Sequence, residues 1–579
     1  MRPQRTWHLR RRTAGAYDRI CPAISQAGRK NALSEAHTPS RSLCALSALA
    51  LLVVVLSGCG SSVSGGSSSA DPAMAVPSSA ALYVGAVIQP SGSLKSNAVS
   101  AAQRLTHLEH PYEQLLGALQ SEGETHITWS ELKPWVGDRA GLFIDSLESS
   151  SALGMIEKGL SGGLNAAGAK AALGGGQTQG ALLLDARDPG KARAFLKSQA
   201  AHAGAHGASF DGVSYEANAQ QRAFALVGKF AVIGTQSALH GVIETVQGHP
   251  SLLGSATYTE LAGAASGQAL ANAYLNPATL LAAGHGSGAA QTQGLGLLSA
   301  IFASAKPVYL SLEPSASSIS LEALSPPATK AQSESETAGE QMFGQLPANA
   351  WLALGIGNLG KTLEGSLVGF ESLSSLASSS SGLGSLLPKV STKGVNIKRD
   401  FLRWMGSAGV FAAGTSLVNI AAGVVITSTD PAASRAAVAK MAKLLAGSGG
   451  SVTAVNVASA ETTLAVRSAN SPLTIDVAAG HGKFVIGLGE TSIEQALAPS
   501  STLSGSAAYS TAQSTLGTGM KPTLMVEFPT LLGFMEGLNL QENPMLSKIF
   551  PYLRQLNTLT AGSGHTGTLT RSRLVLALR

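Results

Sequence analysis

The chain has 579 residues and carries 40 Lys or Arg against 34 Asp or Glu, while only 13% of its residues are charged. Nine of the basic side chains lie in residues 1–58, which leaves 31 basic and 32 acidic residues for positions 59–579. Proteins that bind nucleic acids need clustered positive charge on their folded part, so the near-neutral body excludes that class. A hydrophobic content of 44%, arranged in periodic segments, excludes a wholly disordered chain.

Residues 1–58 are predicted to be a leader that contains a lipoprotein signal peptide. An apolar run of 14 residues, Leu43–Leu56, begins two residues after Arg41. A helix that spans a bilayer needs about 20 residues, so this run is typical of the core of a signal peptide instead. Residues 1–40 exceed what such a leader needs, and a start of translation downstream of them is an alternative.

The apolar run ends in Leu56-Ser-Gly-Cys59, which resembles the bacterial lipobox. In proteins with that motif, the Cys after the two small residues receives a diacylglyceryl group. The resemblance predicts lipid attachment at Cys59 and a location on the extracytoplasmic face of the cell membrane. Cys21 and Cys44 lie in the leader, so the mature chain would hold no disulfide, no thiolate metal site and no Cys nucleophile.

Residues 59–71 are predicted to form a flexible tether because Gly and Ser dominate them. The body that follows is predicted to contain two tandem copies of one unit, residues 72–325 and residues 341–579, joined by a linker over 326–340. Five short segments recur in the same order, with offsets of 242 to 270 positions. They begin at Val76 and Leu346, Trp135 and Trp404, Ala181 and Gly423, Gly228 and Gly482, and Gly254 and Gly505.

Each copy is predicted to have an α+β fold. Apolar runs of four to eight residues indicate strands, and Asp188-Pro189 and Asp430-Pro431 indicate helix starts, since Asp caps a helix well and Pro fits its first turn. Thr491 with Glu494 predicts a capping box at a later helix. The order of strand, helix, hairpin and helix favours a mainly antiparallel sheet with helices on one face.

These recurring segments resemble the bacterial family called domain of unknown function 3352. The resemblance covers about residues 72–579 and rests on the Pro-x-x-Ala strand opening, the Trp-x-Gly strand, the Asp-Pro helix start and the hairpin, helix and Tyr that follow. It implies an exported or membrane-anchored protein. It implies no activity, and it gives no catalytic residues to transfer.

The segment Gly355-Ile-Gly-Asn-Leu-Gly360-Lys361-Thr362 satisfies the phosphate-binding pattern G-x-x-x-x-G-K-[ST] after an apolar strand. In such a site Lys361 would contact phosphate oxygens and Thr362 would hold Mg²⁺. The equivalent part of the first copy lacks Lys-Thr, however, so a glycine turn that leaves the sheet explains the match better.

Gly159-Leu-Ser161-Gly-Gly163 matches the nucleophile elbow of hydrolases. No strand precedes it, so the pattern predicts a loop. His202 with His206, and His107 with His110, have spacings that metal ligands use, but solvated polar faces explain both pairs better. Trp135 with Trp404, and Tyr258 with Tyr509, are equivalent in the two copies and are predicted to be core residues.

The sequence therefore predicts a lipid-anchored extracytoplasmic protein without enzyme activity, cofactor or metal, which has a binding or scaffolding role at the cell envelope. Its partners would be the membrane, through the acyl chains on Cys59, and a small ligand or an envelope protein. A cleft between duplicated units is a common place for a ligand. The alternative functions are an envelope hydrolase and, less favoured, a nucleotide-binding protein.

Overall fold

The computed structural model describes residues 70–106, 129–147, 178–265, 269–279, 306–364, 396–446, 450–468, 473–543, 546–547 and 549–579. These residues form an α+β fold whose strands belong to one large antiparallel sheet. We refer to the part up to Ser325 as the N-terminal half and to the part from Lys330 onward as the C-terminal half.

Ten described strands lie in each half. In the N-terminal half they are β1 Leu82–Val87, β2 Val136–Leu147, β3 Thr178–Ala186, β4 His206–Phe210, β5 Val213–Ala217, β6 Arg222–Val227, β7 Phe230–Thr235, β8 Ala271–Leu275, β9 Val308–Pro314 and β10 Ser318–Ser325. In the C-terminal half they are β11 Ala350–Ile356, β12 Met405–Ala413, β13 Ala421–Ser428, β14 Gly450–Ala454, β15 Thr462–Ser468, β16 Thr474–Gly480, β17 Lys483–Leu488, β18 Lys521–Glu527, β19 Leu556–Thr566 and β20 Leu569–Leu578.

The strands of the N-terminal half lie in the order β4-β5-β6-β7-β3-β2-β1-β8-β9-β10. Those of the C-terminal half lie in the order β14-β15-β16-β17-β13-β12-β11-β18-β19-β20. Adding ten to each strand number of the first order gives the second. The halves join where β10 pairs antiparallel with β20, from Ser318 opposite Ala577 to Ser325 opposite Thr570.

The main helices of the described chain are α1 Gly92–Thr106, α2 Trp129–Leu132, α3 Pro189–His202, α4 Gln236–Val246, α5 Ala256–Ala264, α6 Lys330–Gly344, α7 Pro431–Ala446, α8 Gly489–Leu497, α9 Ala507–Leu516, α10 Phe528–Gly537 and α11 Phe550–Leu553. Two of them begin where Asp-Pro predicts. Asp188 accepts hydrogen bonds from the backbone N–H groups of Gly190 and Lys191, and Asp430 caps α7 in the same way.

Helices cover both faces of the sheet, so the prediction of helices on one face is wrong. Adjacent residues of β3 show this: Leu184 packs in a buried cluster with Phe195 of α3, whereas Leu183 packs in another with Leu239 of α4. Ile426 and Val425 of β13 likewise pack with α7 and α8, respectively. Because successive strand side chains point to opposite faces, α3 and α7 lie on one face and α4 and α8 on the other.

Two local predictions are corrected by the structure. The capping box at Thr491 is absent because α8 begins at Gly489, and its N-cap residue, Leu488, makes no side-chain cap hydrogen bond. Most of the stretch predicted as a linker, 326–340, belongs to α6, which does begin with a capping box, between Thr329 and Gln332.

No helix among the described residues is both long enough and apolar enough to cross a membrane.

Candidate functional site

An open cleft of about 470 Å³ lies where the two halves join. β10 lines it from the N-terminal half, and β11, β18, β19, β20 and α6 line it from the C-terminal half. Leu321 and Ala323 of β10 are its lining residues from the N-terminal half, so the β10–β20 pairing completes the cleft.

The residue pairing between β10, β20 and β19 determines which side chains lie together on the floor of the cleft. Leu321 of β10 lies opposite Leu574 of β20, which lies opposite Ala561 of β19. Two residues further along β10, on the same face, Ala323 lies opposite Ser572, which lies opposite Ser563. Residues that pair across antiparallel strands share a face, so an aliphatic row and a row with two hydroxyl groups lie side by side on the floor.

Helix α6 forms one wall of the cleft and lies very close to the end of β11. The Ser335 hydroxyl donates a hydrogen bond to the carbonyl oxygen of Gly357 at 3.0 Å. A Cβ atom added to Gly357 would lie 1.7 Å from the carbonyl oxygen of Ser335, and one added to Gly355 would lie 2.2 Å from that of Gly339. The absence of side chains at these glycines allows the helix to approach the strand.

Glu336 of α6 places a carboxyl group on this wall. Burial is the largest effect on its pKa and raises it, the nearby Glu340 also raises it, and His565 opposes the change. Glu340 is itself paired with Lys521, whose Nζ lies 3.1 Å from its Oε2. A carboxyl group with a raised pKa changes its charge closer to neutral pH than an ordinary Glu does.

The strands that line the cleft also carry a buried ion cluster. Glu322 is completely buried, and its Oε2 accepts hydrogen bonds from Arg571 Nε at 2.8 Å and from Arg573 Nη2 at 2.6 Å. Its Oε1 has no hydrogen-bond partner in the described part of the chain. The cluster adjoins the cleft, because Arg573 is among the residues that line it and pairs with Glu322, next to the Leu321–Leu574 pair.

The cleft brings together groups of different chemistry. The floor combines aliphatic side chains with hydroxyl groups, and Glu336 is a titratable group on its wall. A smaller hollow of about 110 Å³ beside the cleft is lined by Ser563, His565 and Glu336 among others.

The glycine-rich segment predicted as a turn behaves as one. Gly355 and Ile356 belong to β11, where Gly355 pairs with Gly409 of β12, and residues 359–364 are helical. The Thr362 hydroxyl, in this helix, donates to the carbonyl oxygen of Asn358 in the turn that precedes it. Lys361 is exposed, Gly355 and Gly357 pack against α6, and Gly360 packs against the backbone of Leu402 and Met405, so the geometry does not favour a phosphate-binding loop.

Most other candidate residues are not brought together. His202 ends α3 and His206 begins β4, so the two do not share a helix face. No group of three or more potential metal ligands occurs among the residues that the structure describes. Cys59, His107, His110 and Ser161 lie outside the described residues.

The prediction that the recurring aromatic residues belong to the core is confirmed for three of the four. Trp135 and Trp404 are each 1% exposed and Tyr258 is 2% exposed, whereas Tyr509 is partly buried. The carbonyl oxygen of Trp135 accepts a hydrogen bond from the N–H of Asp188, and that of Trp404 accepts one from the N–H of Thr429.

The Glu322 cluster was not predicted from the sequence, although two signals in the sequence point to it. Arg571 and Arg573 are two residues apart, so a strand places both on one face. Glu322 stands between the apolar residues Leu321 and Ala323 in its strand, as a buried charge with a partner does. The partners are 249 and 251 positions apart, which no local pattern connects.

Three comparisons with known proteins complete this description. A search of curated proteins finds no match. One solved structure, titled "Structure of crystal form I of TP0453", is similar to the chain at 10% identity with a TM-score of 0.23. The similarity covers 45% of this chain and 81% of that one. The model of the family described as "Protein of unknown function (DUF3352)" matches residues 42–578, and the chain therefore belongs to that family.

Proposed function

We propose that this protein is held on the extracytoplasmic face of the cell membrane by lipid on Cys59 and has a non-enzymatic binding role at the cell envelope. The observation that carries the binding role is the cleft at the β10–β20 junction, whose floor joins aliphatic side chains to hydroxyl groups. Such a surface suits a small ligand with an apolar part and a few polar groups. The alternative without a ligand is a scaffold, in which the long sheet presents surfaces to other envelope proteins.

The location rests on the leader. The apolar run Leu43–Leu56 and the lipobox-like sequence that ends at Cys59 support export and acylation together. The family match starts at residue 42 and so includes both.

We further propose that the body is an internal duplication, with copies over 72–325 and 341–579. Two observations support it: the matching strand orders of the halves, and equivalent hydrogen bonds at equivalent sequence positions. The isolated bridges Pro77–Ser251 and Pro347–Thr502 are a further matching pair. A duplication places the cleft at the boundary between copies, because β10 and β20 are then equivalent strands.

The anchor is tested by mass spectrometry of the protein purified from the membrane fraction of its own cells. We expect a mature chain that begins at Cys59 and carries acyl chains. We expect Cys59→Ala to remain unprocessed and Cys44→Ala, a control in the leader, to be processed normally. A mature N-terminus elsewhere, or an unmodified Cys59, would contradict the proposal.

The cleft is tested in the same samples under non-denaturing conditions. We expect a small molecule to be released from the wild-type protein and to be lost from Ser572→Trp, because the indole would fill the floor of the cleft. Ser317→Trp, at an exposed turn outside the cleft, is the matched control. Retention of the molecule by Ser572→Trp would place binding elsewhere, and its absence from all samples would favour the scaffold.

A further inference from the structure

Two exposed apolar side chains lie together where the folded body begins. Met74 is 49% exposed and Leu253 is 42% exposed, although both are large hydrophobic residues. The backbone holds their segments together, since the N–H of Leu253 donates to the carbonyl oxygen of Ala73 at 3.1 Å. The N–H of Leu252 donates to the carbonyl oxygen of Val76 at 2.7 Å. We call these two side chains the Met74–Leu253 patch.

The patch is close in sequence to the predicted lipid anchor. The body is fixed from Asp71 onward, because its carboxylate accepts a hydrogen bond from the N–H of Ala73 at 3.0 Å and pairs with Arg139 at 2.9 Å. Residues 60–70 are the eleven that separate Asp71 from Cys59. For a tether of the flexible kind that their composition predicts, eleven residues give a mean reach of about 18 Å. Acyl chains on Cys59 would therefore keep the patch near the bilayer surface.

The C-terminal half provides an internal comparison. Its bridge Pro347–Thr502 corresponds to Pro77–Ser251, and the N–H of Leu503 donates to the carbonyl oxygen of Leu346 at 2.7 Å. Counting from these bridges, Gly344 and Ser504 stand where the N-terminal half has Met74 and Leu253. A Cβ added to Gly344 would lie 3.3 Å from Cβ of Ser504, so the two positions are adjacent there as well.

The comparison shows that the fold itself does not require the two exposed apolar side chains. The same bridge and the same backbone hydrogen bond form in the C-terminal half without an exposed apolar pair. Only the half that follows the tether carries Met and Leu at these positions. Exposed apolar area is unfavourable in water and favourable at the boundary between lipid headgroups and acyl chains.

We propose that the Met74–Leu253 patch lies against the bilayer that holds the acyl chains of Cys59. This inference rests on the proposed lipid anchor. Two side chains are too few to bind a membrane alone, but the anchor makes their contact intramolecular, so that a weak interaction suffices. The contact fixes which end of the N-terminal half faces the membrane.

The contact of the patch with the bilayer is tested by labelling single introduced Cys residues, because the chain has few thiols of its own. With Cys59 acylated and the leader removed, a new Cys is the only free thiol, so Leu253→Cys and Ser504→Cys each accept one environment-sensitive fluorophore. The acylated full-length variants are placed in vesicles of phosphatidylcholine and phosphatidylglycerol. We expect emission at position 253 to shift to the blue and to be quenched severalfold more by nitroxide lipids than emission at position 504. Equal emission and quenching at the two positions would overturn the inference.

A second measurement distinguishes membrane contact made by the patch from contact made by the fluorophore itself. With the fluorophore moved to exposed Ala256, the double change Met74→Ser with Leu253→Ser should reduce the quenching by nitroxide lipids severalfold. Unchanged quenching would overturn the inference while the anchor stands. Mass spectrometry of the same samples reports acylation, and a protein without acyl chains would overturn both proposals.

Discussion

Asp400 shows how one carboxylate links several parts of the C-terminal half. Its side chain is 4% exposed and accepts hydrogen bonds from Arg399 Nε at 3.0 Å and from the N–H of Asn396 at 2.9 Å. Lys440 of α7 lies 2.9 Å away. The carbonyl oxygen of Asp400 accepts a hydrogen bond from Nε1 of buried Trp404 at 2.8 Å. The residue thus connects α7 to the segment that enters β12.

The stability that Asp400 contributes should depend on pH. Its hydrogen bond with Arg399, followed by those with Asn396 and Lys440, holds the pKa of this carboxyl well below its usual range. A group whose pKa is lower in the folded state stabilises that state above its unfolded pKa, about 3.9 for Asp. The contribution is then lost as the pH falls from there toward the folded pKa. Asp400→Asn should therefore lower the free energy of unfolding near neutral pH, and its difference from wild type should shrink below about pH 4.

Urea denaturation at about pH 7 and about pH 3 measures this difference. Asp211→Asn is the control, because Asp211 is exposed in a turn with φ of 45°, a conformation that Asn also adopts readily. We expect the control to differ little from wild type at either pH. A loss for Asp400→Asn that is the same at both pH values would contradict the argument.

The two recurring Trp residues show how much the sequence predicts about single residues. Recurrence and size were enough to predict that Trp135 and Trp404 are buried. The partner of each indole N–H could not be predicted, because the residues before the two Trp differ. Nε1 of Trp404 finds the carbonyl oxygen of Asp400, whereas Nε1 of Trp135 has no partner in the described part of the chain.

At the scale of elements, the glycines of the phosphate-loop pattern have a packing role. Gly357 leaves no room for a side chain, because the nearest atom to an added Cβ is a backbone oxygen of α6. Backbone atoms in the middle of a helix cannot move aside as the end of a side chain can. The same glycine pattern that indicates a phosphate site therefore also arises where a helix crosses a strand closely.

Gly357→Ala should destabilise the protein by about 2–3 kcal/mol, because the new methyl group must push α6 away from β11. The control is Gly533→Ala in α10, where nothing lies within 4 Å of an added Cβ. That control should be neutral or stabilising by up to about 1 kcal/mol, since Ala favours the helix. Chemical denaturation measures the free energy of unfolding of both variants. A Gly357→Ala protein as stable as wild type would show that α6 moves away from β11 without cost.

The helix starts show why local patterns succeed at some elements and fail at others. Asp188-Pro189 and Asp430-Pro431 act within one turn of chain, so nothing distant competes with them. At α8, Gly489 has a φ of 70°, and the helix begins there, two residues before Thr491. Buried Ser492 then accepts a hydrogen bond from the N–H of Ala422 at 3.1 Å. That contact with β13 belongs to the tertiary structure and outweighs the local signal.

At the scale of the molecule, the β10–β20 pairing makes two sheets into one. Sequence recurrence predicted two similar bodies, and composition predicted a linker between them. Neither signal could predict that the last strands of both bodies, β10 and β20, pair with each other. The contact joins residues about 250 positions apart. The linker stretch instead supplies much of α6, which contacts β11 and forms a wall of the cleft.

The Glu322 cluster should contribute to the coupling between the halves. Glu322→Gln removes the charge that holds two Arg side chains together, and those side chains are only 23% and 18% exposed. Breaking a fully buried pair costs about 3–5 kcal/mol, so with partial exposure of the arginines we expect a loss of about 2–3 kcal/mol. Amide hydrogen exchange in β10 and β20 should accelerate more than exchange in β3, because the change weakens the junction first.

The second variant distinguishes a charge effect from a general loss of packing. Adding Arg571→Gln to Glu322→Gln removes one of the two like charges, so the double variant should be more stable than the sum of the single losses predicts. Glu260→Gln, at an exposed position of α5, should leave both stability and exchange unchanged. If the double variant is strictly additive, or if exchange accelerates equally in β3, the ion cluster does not hold the junction. The halves would then be joined by the backbone ladder and apolar packing alone.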